Sequence, residues 1–150
     1  MLKSIFAPGN DSLPTSFGLL ILRLWLGLTM LINHGAAKLT GFNEKASGFP
    51  DPFGIGHQGS LALAVFAEVV ASLLLVSGFL TRFAALVLAI NLTTAFMVVH
   101  KGSLSGAHSG ELAFIYLAGY VLLLFAGAGK FSVDKTVCGA KAAEAAKPKK

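Results

Sequence analysis

One cysteine, Cys138, in a chain of 150 residues excludes an intrachain disulfide framework and any metal site built from thiolates alone. Charge is scarce as well. Only 13% of the residues are Asp, Glu, Lys or Arg, against roughly 25% in a soluble domain. There is no glycine-rich nucleotide loop, no Cys-x-x-Cys pair and no serine–histidine–aspartate set. Nucleotide-dependent, thiol-redox and hydrolase chemistry therefore find no residues to work with. The charge that is present is uneven: six of the 12 basic residues follow position 129. The net charge of +5 thus belongs to a tail and not to a groove, and no nucleic-acid partner is expected.

What fills the chain instead is hydrocarbon. Hydrophobic residues make up 55% of it, with 17 Gly and 12 Phe, and the mean hydropathy is +0.74. That mixture suits helices packed through small residues and aromatic rings in lipid. Residues 17 to 42, FGLLILRLWLGLTMLINHGAAKLTGF, are long and apolar enough to cross a bilayer, yet carry Arg23, His34 and Lys38. At about 100° per residue these three and Gly27 fall within roughly 60° of one another around a helix. An ionisable group near the bilayer centre costs at least ~2.5–3.5 kcal/mol unless it is paired or hydrated. The stripe must therefore face other helices, which supply its partners.

Residues 1–16 are broken by Pro8, Gly9 and Pro14 and read as an interfacial lead-in, with Thr15 or Ser16 capping the first helix. A cleaved signal peptide is the rival reading; Arg23 within the apolar run and the length of that run oppose it. Helices are expected over about 16–39, 60–80, 82–101 and 110–128, joined by a Gly/Pro-rich loop at 40–59, a tight turn at GFLTR (78–82) and a flexible loop at 102–110. The expectation is an all-α, integral membrane four-helix bundle, antiparallel, occupying 17–134 as one domain, followed by a mobile basic tail at 135–150. Lys3, Arg82 and the lysines from Lys130 onward fall on one side of it, and Lys38, Lys45 and Lys101 on the other. The excess places both termini in the cytoplasm.

Glu68 is the sharpest chemical signal, a single acid in AVFAEVVASLLLVSG. It must face the interior, with Arg23 or Lys38 as its natural partner. Either it handles protons or binds a ligand, or it belongs to a buried ion pair that fixes helix register. Arg23, charged at any relevant pH, fits a structural role against Glu68 or backbone carbonyls. His34, one turn before Lys38, could donate to the carbonyl oxygen of a quinone; the alternative is an interfacial histidine beside a snorkelling lysine. Tyr116 and Tyr120 could line a flat apolar ligand or simply pack. Asn91 is expected to bond across helices, and Glu111 to sit at the positive end of the fourth helix. His34 and His100 end parallel helices, but nothing shows their rings facing across a cofactor-sized gap, so haem b is disfavoured. The spacing of His100, His108 and Glu111 matches no metal-ligand pattern, and no metal site is expected.

In these stretches the chain resembles the DoxX family of small four-helix membrane proteins. The pieces that carry the likeness are RLWLGLTMLINHGAAKLTGF, AVFAEVVASLLLVSGFLTRFAAL and the closing GAGKFSVD. The resemblance implies that Arg23, His34, Gly35, Lys38, Glu68, Arg82 and Asp134 are the family-type positions, with Lys130 where an Arg often stands. Some relatives are described as subunits of a thiosulfate:quinone oxidoreductase or a terminal quinol oxidase, and others are linked to membrane complexes handling sulfur and oxidative stress.

The resulting expectation is a DoxX-type subunit of a redox complex in the bacterial inner membrane, with a quinone held in the outer half of the bundle. His34 and Lys38 would hydrogen-bond the ligand, Glu68 would relay protons and Arg23 would keep the carboxylates ionised. No redox centre is evident in the chain itself, so electrons must come from a partner protein, and any enzyme activity belongs to that complex. A non-catalytic anchor or assembly subunit is the alternative. A small-solute transporter is another, and it would need a homo-oligomer because four short helices offer no broken helix or inverted repeat.

Overall fold

The computed structural model describes residues 12–137 of the chain. All regular structure among them is helical: α1, Leu13–Thr40; α2, Phe42–Ala46; α3, His57–Ser77; α4, Thr81–Val99; and α5, Glu111–Ala126. One further helical turn spans 133–137. The interfacial lead-in expected at 1–16 lies outside the described residues up to 11, and the basic tail, with Cys138, lies outside them from 138 on.

α1 starts earlier than its composition suggests. Ser12, not Thr15 or Ser16, is the cap, its hydroxyl accepting the Thr15 amide at 3.4 Å. Pro14 sits in the first turn, where its missing N–H costs nothing. At 1.5 Å per residue the 28 residues of α1 reach about 42 Å, well beyond a hydrocarbon core of ~30 Å. α1, α3 and α4 are long and apolar enough to cross a membrane. α5 is apolar but only 16 residues long. The segment at 102–110 folds back on itself, with the Gly110 amide donating to the Ser103 carbonyl at 2.7 Å.

Several polar groups are buried within the apolar core, while much of the exposed helix surface is apolar. Phe17, Ile21, Leu28 and Ile32 run down the exposed side of α1 with Trp25, which is 69% exposed, while Arg23 on the opposite side is fully buried. Ser16, Ser72, Thr81 and Glu68 are buried too. A protein dissolved in water has no reason to hide its few polar side chains and show its hydrocarbon; lipid reverses that preference.

Within this frame α1 packs on the second half of α3, and α4 packs on α5 and on α3 from Phe66 onward. Leu19, Met30, Leu75, Leu88, Tyr120 and Leu123 form the shared core. Gly35 brings α1 close to α3: a Cβ there would come within 2.6 Å of the Glu68 carbonyl oxygen. α3 ends at Gly78, whose φ of 70° suits glycine, with the Phe79 amide donating back to the Leu74 carbonyl at 3.0 Å. Asp134 then caps α4 from a distant part of the chain, accepting the Leu80 and Thr81 amides at 2.7 and 3.0 Å. The GFLTR turn and the closing GKFSVD segment are therefore two halves of one junction.

Candidate functional site

α1, α3 and α4 are α-helical except for one π-helical stretch each: Leu31–Gly35, Phe66–Ala71 and Ala95–Val99. In the first, the Ala36 amide bonds the carbonyl five residues back, at Leu31; in the third, His100 does the same to Ala95 at 3.1 Å. Such widened turns gather at functional sites because they re-aim side chains without breaking the helix. Here the first carries His34, the second carries Glu68, and the third lines the same cavity.

Glu68 is 8% exposed at its side chain and pairs with Lys38, Nζ to Oε2 at 2.7 Å. Its other oxygen accepts the Asn91 amide at 3.2 Å. Three helices thus meet on one carboxylate whose two oxygens are both engaged. Beside it, the His34 ring stands edge-on to Tyr116, 82° between planes and 6.1 Å between centroids. Tyr116 in turn stacks on Tyr120 at 6.1 Å. Among the described residues neither the His34 ring nor the Tyr116 hydroxyl has a hydrogen-bond partner.

These groups form a polar end of a cavity of about 660 Å³ whose other walls are mostly apolar, including Ala64, Ala67, Val87, Ala95 and Ala113, with Ser60, Thr94, His100 and Ser109 among them. That is within the ~300–1,000 Å³ of small-molecule sites. The GFPDPFG stretch closes the loop end, with Phe49, Pro50, Pro52 and Phe53 against the cavity. Asp51, which sequence reading passed over, holds this strap. It accepts the Ser60 hydroxyl at 2.6 Å and the Ile55 and Gly56 amides at 3.1 and 2.9 Å. The Ser60 bond foremost, then the amides, keeps the Asp51 carboxyl below its usual range. His57 Nδ1–H donates to the Phe49 carbonyl and ties the strap a second time.

The remaining predicted residues lie elsewhere. Arg23 does not join Glu68. It is 15 residues from Lys38, about 22 Å along α1, and donates to the carbonyls of Leu75, at 3.3 Å, and of Phe131. Two candidate cations fitted the Glu68 carboxylate, and it is Lys38 that reaches it, because α3 runs back along α1 from the Lys38 end. Tyr120 is fully buried below Tyr116, its hydroxyl donating to the Leu26 carbonyl at 3.3 Å, and does not line the cavity. Asn91 does bond across helices, to Glu68. Arg82 donates to the Phe125 carbonyl at 3.1 Å, and Asp134 serves the α3–α4 junction. Glu111 is exposed at the start of α5. His100 reaches the cavity, with its Nδ1 3.1 Å from the His108 carbonyl oxygen. Among the described residues no three His, Cys, Asp or Glu side chains are grouped to hold a metal ion.

Helices with outward-facing hydrocarbon around a buried polar cluster define a helical membrane protein with an internal cavity. The chain belongs to the DoxX family, whose model matches residues 18–101. The match takes in His34, Lys38, Glu68 and Asn91 and ends before α5, so Tyr116 and Asp134 lie beyond it. Two Haemophilus influenzae proteins, each described as an uncharacterized protein, are similar. One is 36% identical over 112 residues, 70% of this chain and 80% of its own length; the other is 34% identical over 125 residues, 79% and 82%. No solved structure matches.

Proposed function

We propose that this protein is a DoxX-type inner-membrane subunit of a redox complex that binds a quinone or quinol head group in its cavity. In this reading it is an antiparallel four-helix bundle, α5 being the fourth span, with both termini in the cytoplasm and the Lys38 end outward. The observation that carries the proposal is the pairing of a satisfied charge with unsatisfied neutral groups. Glu68 is spoken for by Lys38 and Asn91, so an entering ligand meets no bare charge. His34 and Tyr116 are left as the free donors and acceptors. A neutral, flat head group with carbonyl or hydroxyl oxygens is the chemistry that fits them.

His34 donates to a quinone carbonyl or takes the proton of a quinol hydroxyl, and Tyr116 orients the ring. The Lys38–Glu68 pair, next to His34, offers the next carboxylate for that proton, while the electrons pass to a partner protein. Purified His34→Ala should bind a decyl-substituted benzoquinone roughly tenfold more weakly, a loss of about 1.4 kcal/mol. Equilibrium binding in nanodiscs checks this, and unchanged affinity removes His34 from the site.

A second reading, an anchor or assembly subunit, is favoured by Arg23. That side chain ties α1 to α3 and to Phe131 through carbonyls alone, a purely architectural use of charge. The same variant separates the two, since an anchor leaves the partner complex's turnover unchanged when His34 is lost.

A further inference from the structure

We propose that the cavity is entered from the side, between α3 and α4, by a membrane-dissolved amphiphile whose hydrocarbon chain remains in that slot. The polar end of this occupant rests on the reading given above; its entry path and its chain are new. Two independent observations meet here. At the loop end the approach is covered by the strap, whose two prolines have fixed φ and whose backbone is held by Asp51 through Ser60, Ile55 and Gly56 and by His57 through Phe49. A solute arriving from water has to undo those bonds.

The flank is different. α4 packs on α3 through Phe66–Ala71 and Ser72–Ser77, whereas His57–Val65 packs on Phe42–Ala46 and Ala36–Thr40 instead. The two helices thus lose their mutual packing just where the cavity lies. Leu63 and Phe66 of α3 and Ile90 of α4 line the cavity and are also 50%, 43% and 54% exposed. Side chains that both wall a cavity and open to the exterior mark its rim; these three carry no polar atom, and the Thr94 hydroxyl beside Ile90 is already turned back onto the Ile90 carbonyl at 3.0 Å. A water-soluble ligand gains nothing there. A chain lying across it stays in hydrocarbon throughout, so only the head group changes surroundings on binding.

The test uses full-length protein in nanodiscs and two radiolabelled probes, a dimethoxybenzoquinone bearing a decyl chain and the same ring without the chain. Ile90→Trp and Leu63→Trp each fill the slot from opposite walls; Asp51→Asn, at a residue that does not line the cavity, loosens the strap. Each tryptophan variant should weaken the decyl probe about tenfold while leaving the bare ring within about twofold, and Asp51→Asn should leave both unchanged. Retained ring binding doubles as the check that the variants fold. Unaltered decyl binding in both tryptophan variants, equal loss of both probes, or a chain-dependent loss confined to Asp51→Asn overturns lateral entry. If neither probe binds the unsubstituted protein, the quinone reading falls and this proposal with it. If the ring binds and depends on His34 while the slot variants do nothing, the slot alone falls.

Discussion

Lys38 and Glu68 hold each other at 2.7 Å beside an apolar cavity, where either charge alone is expensive. Breaking a buried pair from one side leaves an uncompensated ion, at a cost of ~3–5 kcal/mol, whereas replacing both partners with apolar groups of like volume is close to neutral. Lys38→Ala is therefore expected to destabilise the protein by about 3 kcal/mol, and Lys38→Met with Glu68→Leu to recover most of that loss. Equilibrium unfolding in mixed micelles measures both. That Glu68 needs a partner was legible, because an isolated acid in an apolar run has nowhere else to go. Which cation it takes was not: Arg23 and Lys38 lie on the same stripe, and only the antiparallel course of α3 decides between them.

Elements tell a more divided story. The spans were readable from hydropathy, and their ends were off by a few residues where caps decide, as at Ser12. The three π turns left no mark in composition; each shifts the helical wheel, so angles counted at 100° per residue lose their register past Leu31. The strap was equally opaque, since a Pro-flanked acid in a loop has no period to betray its bonds. Its behaviour with pH follows from the depressed Asp51 pKa. A carboxyl held lower in the folded protein stabilises above its free value of ~3.9, and that contribution fades as pH falls through the folded value. Protection of the Ile55 and Gly56 amides should thus be the same at pH 8 and pH 5, and Asp51→Asn should reduce it at both; hydrogen exchange reads this directly.

For the whole molecule the governing fact is that Ser16, Ser72, Arg23 and Glu68 are buried alongside the core leucines while many phenylalanines, isoleucines and other leucines face outward. Short basic flanks set the orientation of such a body. A reporter active only in the cytoplasm should give signal when fused after residue 150 and none when inserted in 102–110; the opposite pattern reverses the assignment of outer and inner ends.

The chain has a single tryptophan, and it points away from everything the cavity does. Trp25 looks out from α1 at 69% exposure, so its fluorescence registers the solvent the protein is immersed in, whether lipid or detergent. A quinone dissolved in the bilayer will dim that indole without ever being bound. Intrinsic emission is accordingly a gauge of partitioning for this protein, and occupancy has to be read by other means.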